Sequence, residues 1–209
     1  MTVYDELAAL GTATVHEAAG RTGLVDVPLI QIVPGSRAAG PARTVRCGQG
    51  DNLMVHAAMV ATEPGDVLVL TMTEPEPVAL LGELLATQAK GRGAAAVLVD
   101  AAVRDVEELA ELGLPVWARY VRVRGATKSA PGEIDEPVVV GGATIQAGDA
   151  VVLDADGAVV VSAVRVEEVL AAARERAEKE REKRAKLEAG ALSYDLDGLR
   201  ELVKPDQPL

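Results

Sequence analysis

Two short stretches of this sequence place charged side chains where a fold could use them. Asp100-Ala101-Ala102-Val103-Arg104-Asp105 follows a Val-rich run, and Gly82-Glu83-Leu84-Leu85 lies near the start of a helical pattern. An Arg beside an Asp at the carboxyl end of a parallel strand, where ligands of α/β sheets sit, combines two tools. The guanidinium can clamp a carboxylate with a two-pronged hydrogen bond, and the carboxylate can hold a hard divalent ion. The N–H groups that open the second stretch's helix can bind an anion, and Glu83 could reach a metal or its water. Both stretches also suit plain structure. Asp105 fits the N-cap of a helix over 105–112, and Glu83 fits a first-turn acid favoured by the helix dipole.

The remaining reactive types are few. Cys47, at a strand end, reads as a buried thiol, His56 as a packing or capping residue, and Trp117 as core. His16 beside Glu17 reads as structural, with a contact to a distal substrate carboxylate as the alternative. Lys128 fits an anion contact or a loop cation equally. Lys90 and Lys128 are the only lysines outside the C-terminal helix and tail. Neither has an activating neighbour in sequence, which disfavours Schiff-base chemistry.

Composition excludes several classes. A formal net charge of −11 argues against a nucleic-acid surface, which needs a basic footprint. A lone Cys rules out an intramolecular disulfide framework or a multi-Cys zinc site. With two His in the chain, any metal would rest mainly on oxygen ligands. No apolar run approaches the roughly 18 residues of a membrane span. Met1-Thr2-Val3-Tyr4-Asp5 shows no signal-peptide pattern, so a cytoplasmic protein is expected. Phe is absent, so the core must be built from Val, Leu, Ile and Ala.

The elements that would position these residues follow from periodicity. Residues 5–20 read as helix with a break near Gly11-Thr12, 23–36 as an irregular connection, and 39–48 as strand. Asp51 is the expected N-cap of a helix through Ala61. Strands are expected over 67–72, 94–100 and 115–123, with helices over 78–91 and 105–112 between them. This alternation implies an α/β layer with parallel strands. Residues 136–162 form short Val-rich strands, with Asp156-Gly157 as a hairpin signal. Residues 165–189 form a long helix of interleaved charges, such as Glu175 four before Lys179. The expected organisation is a single domain over 1–209, with 165–209 as a C-terminal helical extension.

The stretch GELLATQAKGRGAAAVLVDAAVRDVEEL (82–109) resembles the signature of the class II HMG/CHA aldolase and RraA-like family. That signature is an acidic residue, twenty positions, Arg-Asp, and an acidic residue three on: here Glu83, Arg104-Asp105 and Glu108. ATVHEAAGR (13–21), GDNLMVHAAM (50–59), PVWAR (115–119) and KRAKLEAGALSYDL (183–196) extend the resemblance over most of the chain. The nearest branch is the 4-carboxy-4-hydroxy-2-oxoadipate aldolases. The resemblance implies a layered α/β/α fold of swivelling-domain type with an antiparallel β-section and a long C-terminal helix. It also implies homotrimers or hexamers with active sites between subunits, no nucleic acid and no membrane.

The implied activity is a Mg²⁺- or Mn²⁺-dependent carbon–carbon lyase of aromatic-compound catabolism. Such an enzyme splits 4-carboxy-4-hydroxy-2-oxoadipate into pyruvate and oxaloacetate, or 4-hydroxy-4-methyl-2-oxoglutarate into two pyruvates. It also decarboxylates oxaloacetate. By position, Asp105 would ligate the metal and Arg104 would bind the pyruvyl carboxylate and steady the enolate. Glu83, standing for the family's usual Asp, would hold water, and the Leu84 and Leu85 N–H groups would contact the substrate carboxylate. Glu180 of a neighbouring subunit would support the metal's waters. The chemistry suits the residues, since C–C cleavage beside a 2-oxo acid leaves an enolate that a metal and a fixed positive charge stabilise.

Two rival readings share the fold. RraA-like relatives inhibit a ribonuclease, and an acidic surface suits a basic partner. A dedicated oxaloacetate decarboxylase would pass through the same enolate. The charged second half of the long helix has little to bury against its own core and is expected to cross to a neighbouring subunit.

Overall fold

The apolar run Val67–Met72 becomes the middle of a sheet. The computed structural model describes residues 1–202. Every residue of β3 (Val67–Met72) and β5 (Ala96–Val103) is buried, as expected for parallel strands covered on both faces. β3 runs parallel to β2 (Ala38–Cys47) on one side and β5 on the other. β5 is also parallel to β6 (Val116–Val121) and β4 (Ala79–Leu81). β1 (Ile30–Gln31) and β7 (Glu133–Ile134) pair antiparallel with β6 and β2. β10 (Ala150–Asp154) and β11 (Gly157–Val161) form the hairpin signalled by Asp156-Gly157, and β10 pairs antiparallel with β2. The result is a nine-stranded mixed sheet. β8 (Val138–Val140) and β9 (Ala143–Ile145) form a separate two-stranded hairpin.

Alternation along β5 divides the core. Val97, Val99, Ala101 and Val103 pack toward α3 (Leu53–Ala61), α4 (Glu83–Gly91) and α5 (Val106–Leu112). Ala96 and Leu98, with Trp117, cluster with Val138, Val140 and Ile145 of the β8–β9 hairpin. A third cluster sets α1 (Val3–Leu10), α2 (Thr12–Ala18) and the start of α6 (Val166–Glu188) on β10 and β11, through Leu7, Val15, Val169 and Leu170. The expected break between the first helices falls at Gly11, with φ 83°. Glycine has no side chain to cap α2. Asp154, at the end of β10, takes that role by accepting from Thr12 N at 2.8 Å and Thr12 Oγ1 at 2.6 Å.

Several boundaries differ from expectation, and those of α4 and β5 bear on the site. The helix expected over 78–91 begins only at Glu83. Val78–Leu81 are four consecutive buried residues, a run without helical period, and they extend to pair with the outer end of β5. β5 itself does not stop at 100 but continues to Val103, gaining partners in both β4 and β6. Asp100 therefore lies within the strand, buried and ion-paired with Arg119 at 2.6 Å. Its burial outweighs Arg119 and pushes its carboxyl above the usual range. α3 starts at Leu53 rather than at Asp51 plus one, with Asn52 at the cap.

α6 buries only Val166, Val169, Leu170 and Ala173. Its later half returns a contact to the end of the short helix α7 (Ser193–Leu196), where Lys183 Nζ bonds Asp197 at 2.6 Å. The last part of the expected helical extension, 203–209, lies outside the described residues. Among the described residues, no helix is long and apolar enough to cross a membrane.

Candidate active site

The short β4 delivers the chain to Gly82 beside the end of β5, so the start of α4 meets the Arg104-Asp105 turn. Arg104 N donates to Leu81 O at 3.1 Å. Asp105 adopts the left-handed region, φ 58° and ψ 47°, a conformation costing about 1–2 kcal/mol for a residue with a Cβ. It makes no side-chain cap bond to α5. Its carboxylate turns instead toward α4, where Oδ2 accepts the Glu83 N–H at 3.1 Å. The capping role that the sequence allowed is therefore not the one observed.

Arg104 lies beside it, with Nε 3.6 Å from Asp105 Oδ2, and both side chains are about half exposed. In their observed places the two side chains occupy space that two glycines leave open. A Cβ on Gly82 would fall 2.5 Å from Asp105 Oδ2 and 3.2 Å from Arg104 Cγ, and a Cβ on Gly125 would fall 2.8 Å from Arg104 Nη1.

These groups line one wall of a cavity of about 130 Å³. α4 has no side-chain cap, and among the described residues no protein group accepts the Leu84 or Leu85 N–H. These are first-turn donors at the positive end of the helix dipole, suited to an anion. The opposite wall comes from α3 and the 122–130 loop, which supply Asn52, His56, Ala126 and Lys128. Asn52 and His56 are one helical turn apart and share a face. Asn52 Nδ2 donates to Leu80 O at 3.1 Å, while its buried Oδ1 has no partner among the described residues. Burial and the Lys128 charge hold His56 below the usual imidazole range.

The matched family model, described as RraA-like, Aldolase/RraA, spans residues 3–160. This chain belongs to the RraA-like family. A Halalkalibacterium halodurans relative, provisionally named a 4-hydroxy-4-methyl-2-oxoglutarate aldolase, is 37% identical over 137 residues. That alignment covers 66% of this chain and 65% of the relative, so the chain spans just under two-thirds of that relative's length. Among solved structures, Streptomyces coelicolor RraAS2, described as an unusual member of the RNase ES inhibitor RraA protein family, superposes with TM-score 0.77 and 29% identity. The match covers 87% of this chain and 95% of that one. An uncharacterised protein from Pseudomonas syringae pv. tomato superposes with TM-score 0.80 and 26% identity over 91% of this chain and 94% of that one.

Within this RraA-like fold, Arg104, Asp105, Leu84 and Leu85 line one cavity. Glu83 contributes its backbone, but its carboxylate accepts from Thr87 Oγ1 at 2.8 Å and does not line the cavity. Glu180 lies on α6, paired with Arg176 at 2.8 Å, and is absent from the cavity wall of its own chain. His16 Nδ1 sits 3.2 Å from Thr22 O, closing the end of α2. Burial pushes the Cys47 thiol up to about 12, so it stays protonated. Asn52 and His56 were missed as cavity residues. The available signal was their spacing of four in a helix otherwise apolar from Leu53 to Ala61.

Proposed function

We propose that this RraA-like protein is a class II pyruvate aldolase. It would cleave 4-carboxy-4-hydroxy-2-oxoadipate or 4-hydroxy-4-methyl-2-oxoglutarate, with oxaloacetate decarboxylation as a side activity. One observation carries the reading: Arg104, Asp105 and the free N–H groups of α4 face one small cavity whose far wall holds Lys128, Asn52 and His56. That arrangement suits a 2-oxo acid with a second carboxylate. The pyruvyl carboxylate would lie against the Leu84 and Leu85 N–H groups and the Arg104 fork. C–C cleavage leaves negative charge on the pyruvate unit, and Arg104 supplies a fixed positive charge that needs no reorganisation. Lys128 would take the distal carboxylate, with His56 and the unpartnered Asn52 Oδ1 available to substrate hydroxyl or carboxyl hydrogens.

The donor set fits Mg²⁺ or Mn²⁺. Among the described residues no trio of His, Cys, Asp and Glu gathers into a complete cage. Mg²⁺ needs none, since it keeps waters and uses one or two carboxylates together with substrate oxygens. Asp105 would hold the ion, and a neighbouring subunit's Glu180 would reach its waters in a trimer or hexamer; Glu83 would join them by turning its carboxylate away from Thr87. Bound there, the ion would act as a Lewis acid on the 2-oxo acid.

Arg104→Ala should lower kcat/KM for pyruvate release about a hundredfold or more. Near wild-type turnover in that variant would remove Arg104 from the chemistry. Release from oxaloacetate alone would make the protein a decarboxylase. No release from any substrate, with a ribonuclease captured instead, would favour the binding-protein reading.

A further inference from the structure

Asp51 adjoins Asn52 of the cavity wall and does not itself line the cavity. Its side chain is fully buried, and among the described residues no Lys, Arg or His forms an ion pair with it. Hydrogen bonds alone meet its charge. Oδ1 accepts from Leu53 N at 2.8 Å, and Oδ2 accepts from Thr127 Oγ1 and Ser129 N, each at 2.6 Å. Burial pushes this carboxyl up. The donors Thr127, Ser129, Leu53 and Ala130 outweigh burial and hold it below the usual range.

The two segments joined here are the ones that build the far wall of the cavity. Leu53 opens α3, which carries His56 just beyond Asn52. Thr127 and Ser129 flank Lys128. Among the described residues, Ser129 and Ala130 donate to Asp51 and to no other side chain. Thr127 is also tied by its backbone, donating from N to Gly50 O at 3.0 Å and accepting from Asn52 N at 2.9 Å. The other buried carboxylates bond elsewhere: Asp66 holds Arg43, Asp100 holds Arg119, Asp149 holds Gln146 N and Ala163 N, and Asp154 holds Thr12. A buried carboxylate without a cation is costly, and only Asp51 spends that cost at the cavity's edge.

We propose that Asp51 is a positioning residue that acts through Lys128, fixing the ammonium over the cavity for the distal carboxylate of the substrate. The inference rests on the functional reading above, and its test separates the two. Asp51→Asn keeps the shape, but leaves one acceptor oxygen and turns an NH₂ toward N–H donors.

The test is a cycle of wild type, Asp51→Asn, Lys128→Ala and the double variant, read calorimetrically as Kd for tricarballylate, a non-reacting tricarboxylate, in EDTA. Each single variant should weaken binding about tenfold, as loss of placement does, and the double should be no weaker than Lys128→Ala alone. Effects that multiply, wild-type affinity in Asp51→Asn, or no binding by wild type would overturn the proposal. Should Asp51→Asn not fold, Thr127→Val removes one donor. It should weaken binding in the wild-type background and leave Lys128→Ala unchanged; equal effects in both backgrounds would overturn the proposal. Pyruvate release is measured on the same proteins. Wild type that binds tricarballylate but releases no pyruvate would refute the aldolase reading, while the Kd cycle still decides the role of Asp51.

Discussion

Gly82→Ala tests the cradle around Arg104 and Asp105 without touching either residue. Gly82 is extended, with φ −138° and ψ −173°, so alanine can adopt its backbone. The added Cβ would fall 2.5 Å from Asp105 Oδ2, and reaching an ordinary separation of about 3.5 Å requires about 1 Å of retreat. A displacement of that size at reacting groups costs about a hundredfold in rate, equivalent to about 2.7 kcal/mol. The retreat also breaks the Glu83 N–H bond to Asp105, and a hydrogen bond to a charged group contributes about 1.5–3 kcal/mol to stability. The reduced freedom of the unfolded chain on replacing glycine offsets about 0.4–1 kcal/mol of that, so the folded protein should lose about 0.5–2.5 kcal/mol. The assay is pyruvate release followed by NADH oxidation with lactate dehydrogenase, alongside a thermal melt. A folded Gly82→Ala protein with kcat/KM within about threefold of wild type would refute the claim that these two side chains must occupy their observed places.

Two further predictions concern the fold. Asp154→Ala removes both acceptors of Thr12 and leaves a buried N–H unpaired, so urea unfolding should show a loss of about 2–3 kcal/mol; a loss below about 0.5 kcal/mol would mean that α2 does not depend on this remote cap. Cys47, held up to about 12 by burial, should resist a disulfide reagent at pH 8 in the folded chain and react on unfolding. Its folded value lies above the unfolded one of about 8.5, so its contribution to stability is complete below about pH 8.5. That contribution should decline toward pH 12 with a limiting slope of about 1.4 kcal/mol per unit. Cys47→Ala should lose that slope, and identical alkaline limbs in the two proteins would contradict the assignment.

Local pattern carried much of this fold. The buried strand 67–72, the existence though not the bounds of β5, the break at Gly11 and the Asp156-Gly157 hairpin each follow from a few adjacent residues. What local pattern missed is non-local. β4 exists because the outer end of β5 offers it a partner more than twenty residues away, so Val78–Leu81 looked like the start of α4. Asp105 precedes a helix and looks like a cap, yet the Glu83 N–H draws its carboxylate elsewhere. The first wall of the cavity was legible, since Gly82–Leu85 and Arg104-Asp105 both sit where a strand passes into a helix. The second wall was not. Asp51 and Thr127 lie 76 positions apart, and the hydrogen bonds that join the 50–52 and 127–129 segments are invisible to local pattern.

The most direct test of the central claim is pyruvate release from 4-carboxy-4-hydroxy-2-oxoadipate by wild type and Arg104→Ala, each with Mg²⁺, Mn²⁺ or EDTA. Metal-dependent release by wild type, reduced about a hundredfold in Arg104→Ala and abolished by EDTA, is the predicted result. Wild type and Arg104→Ala releasing pyruvate at equal rates, or neither releasing any with either metal, would contradict it.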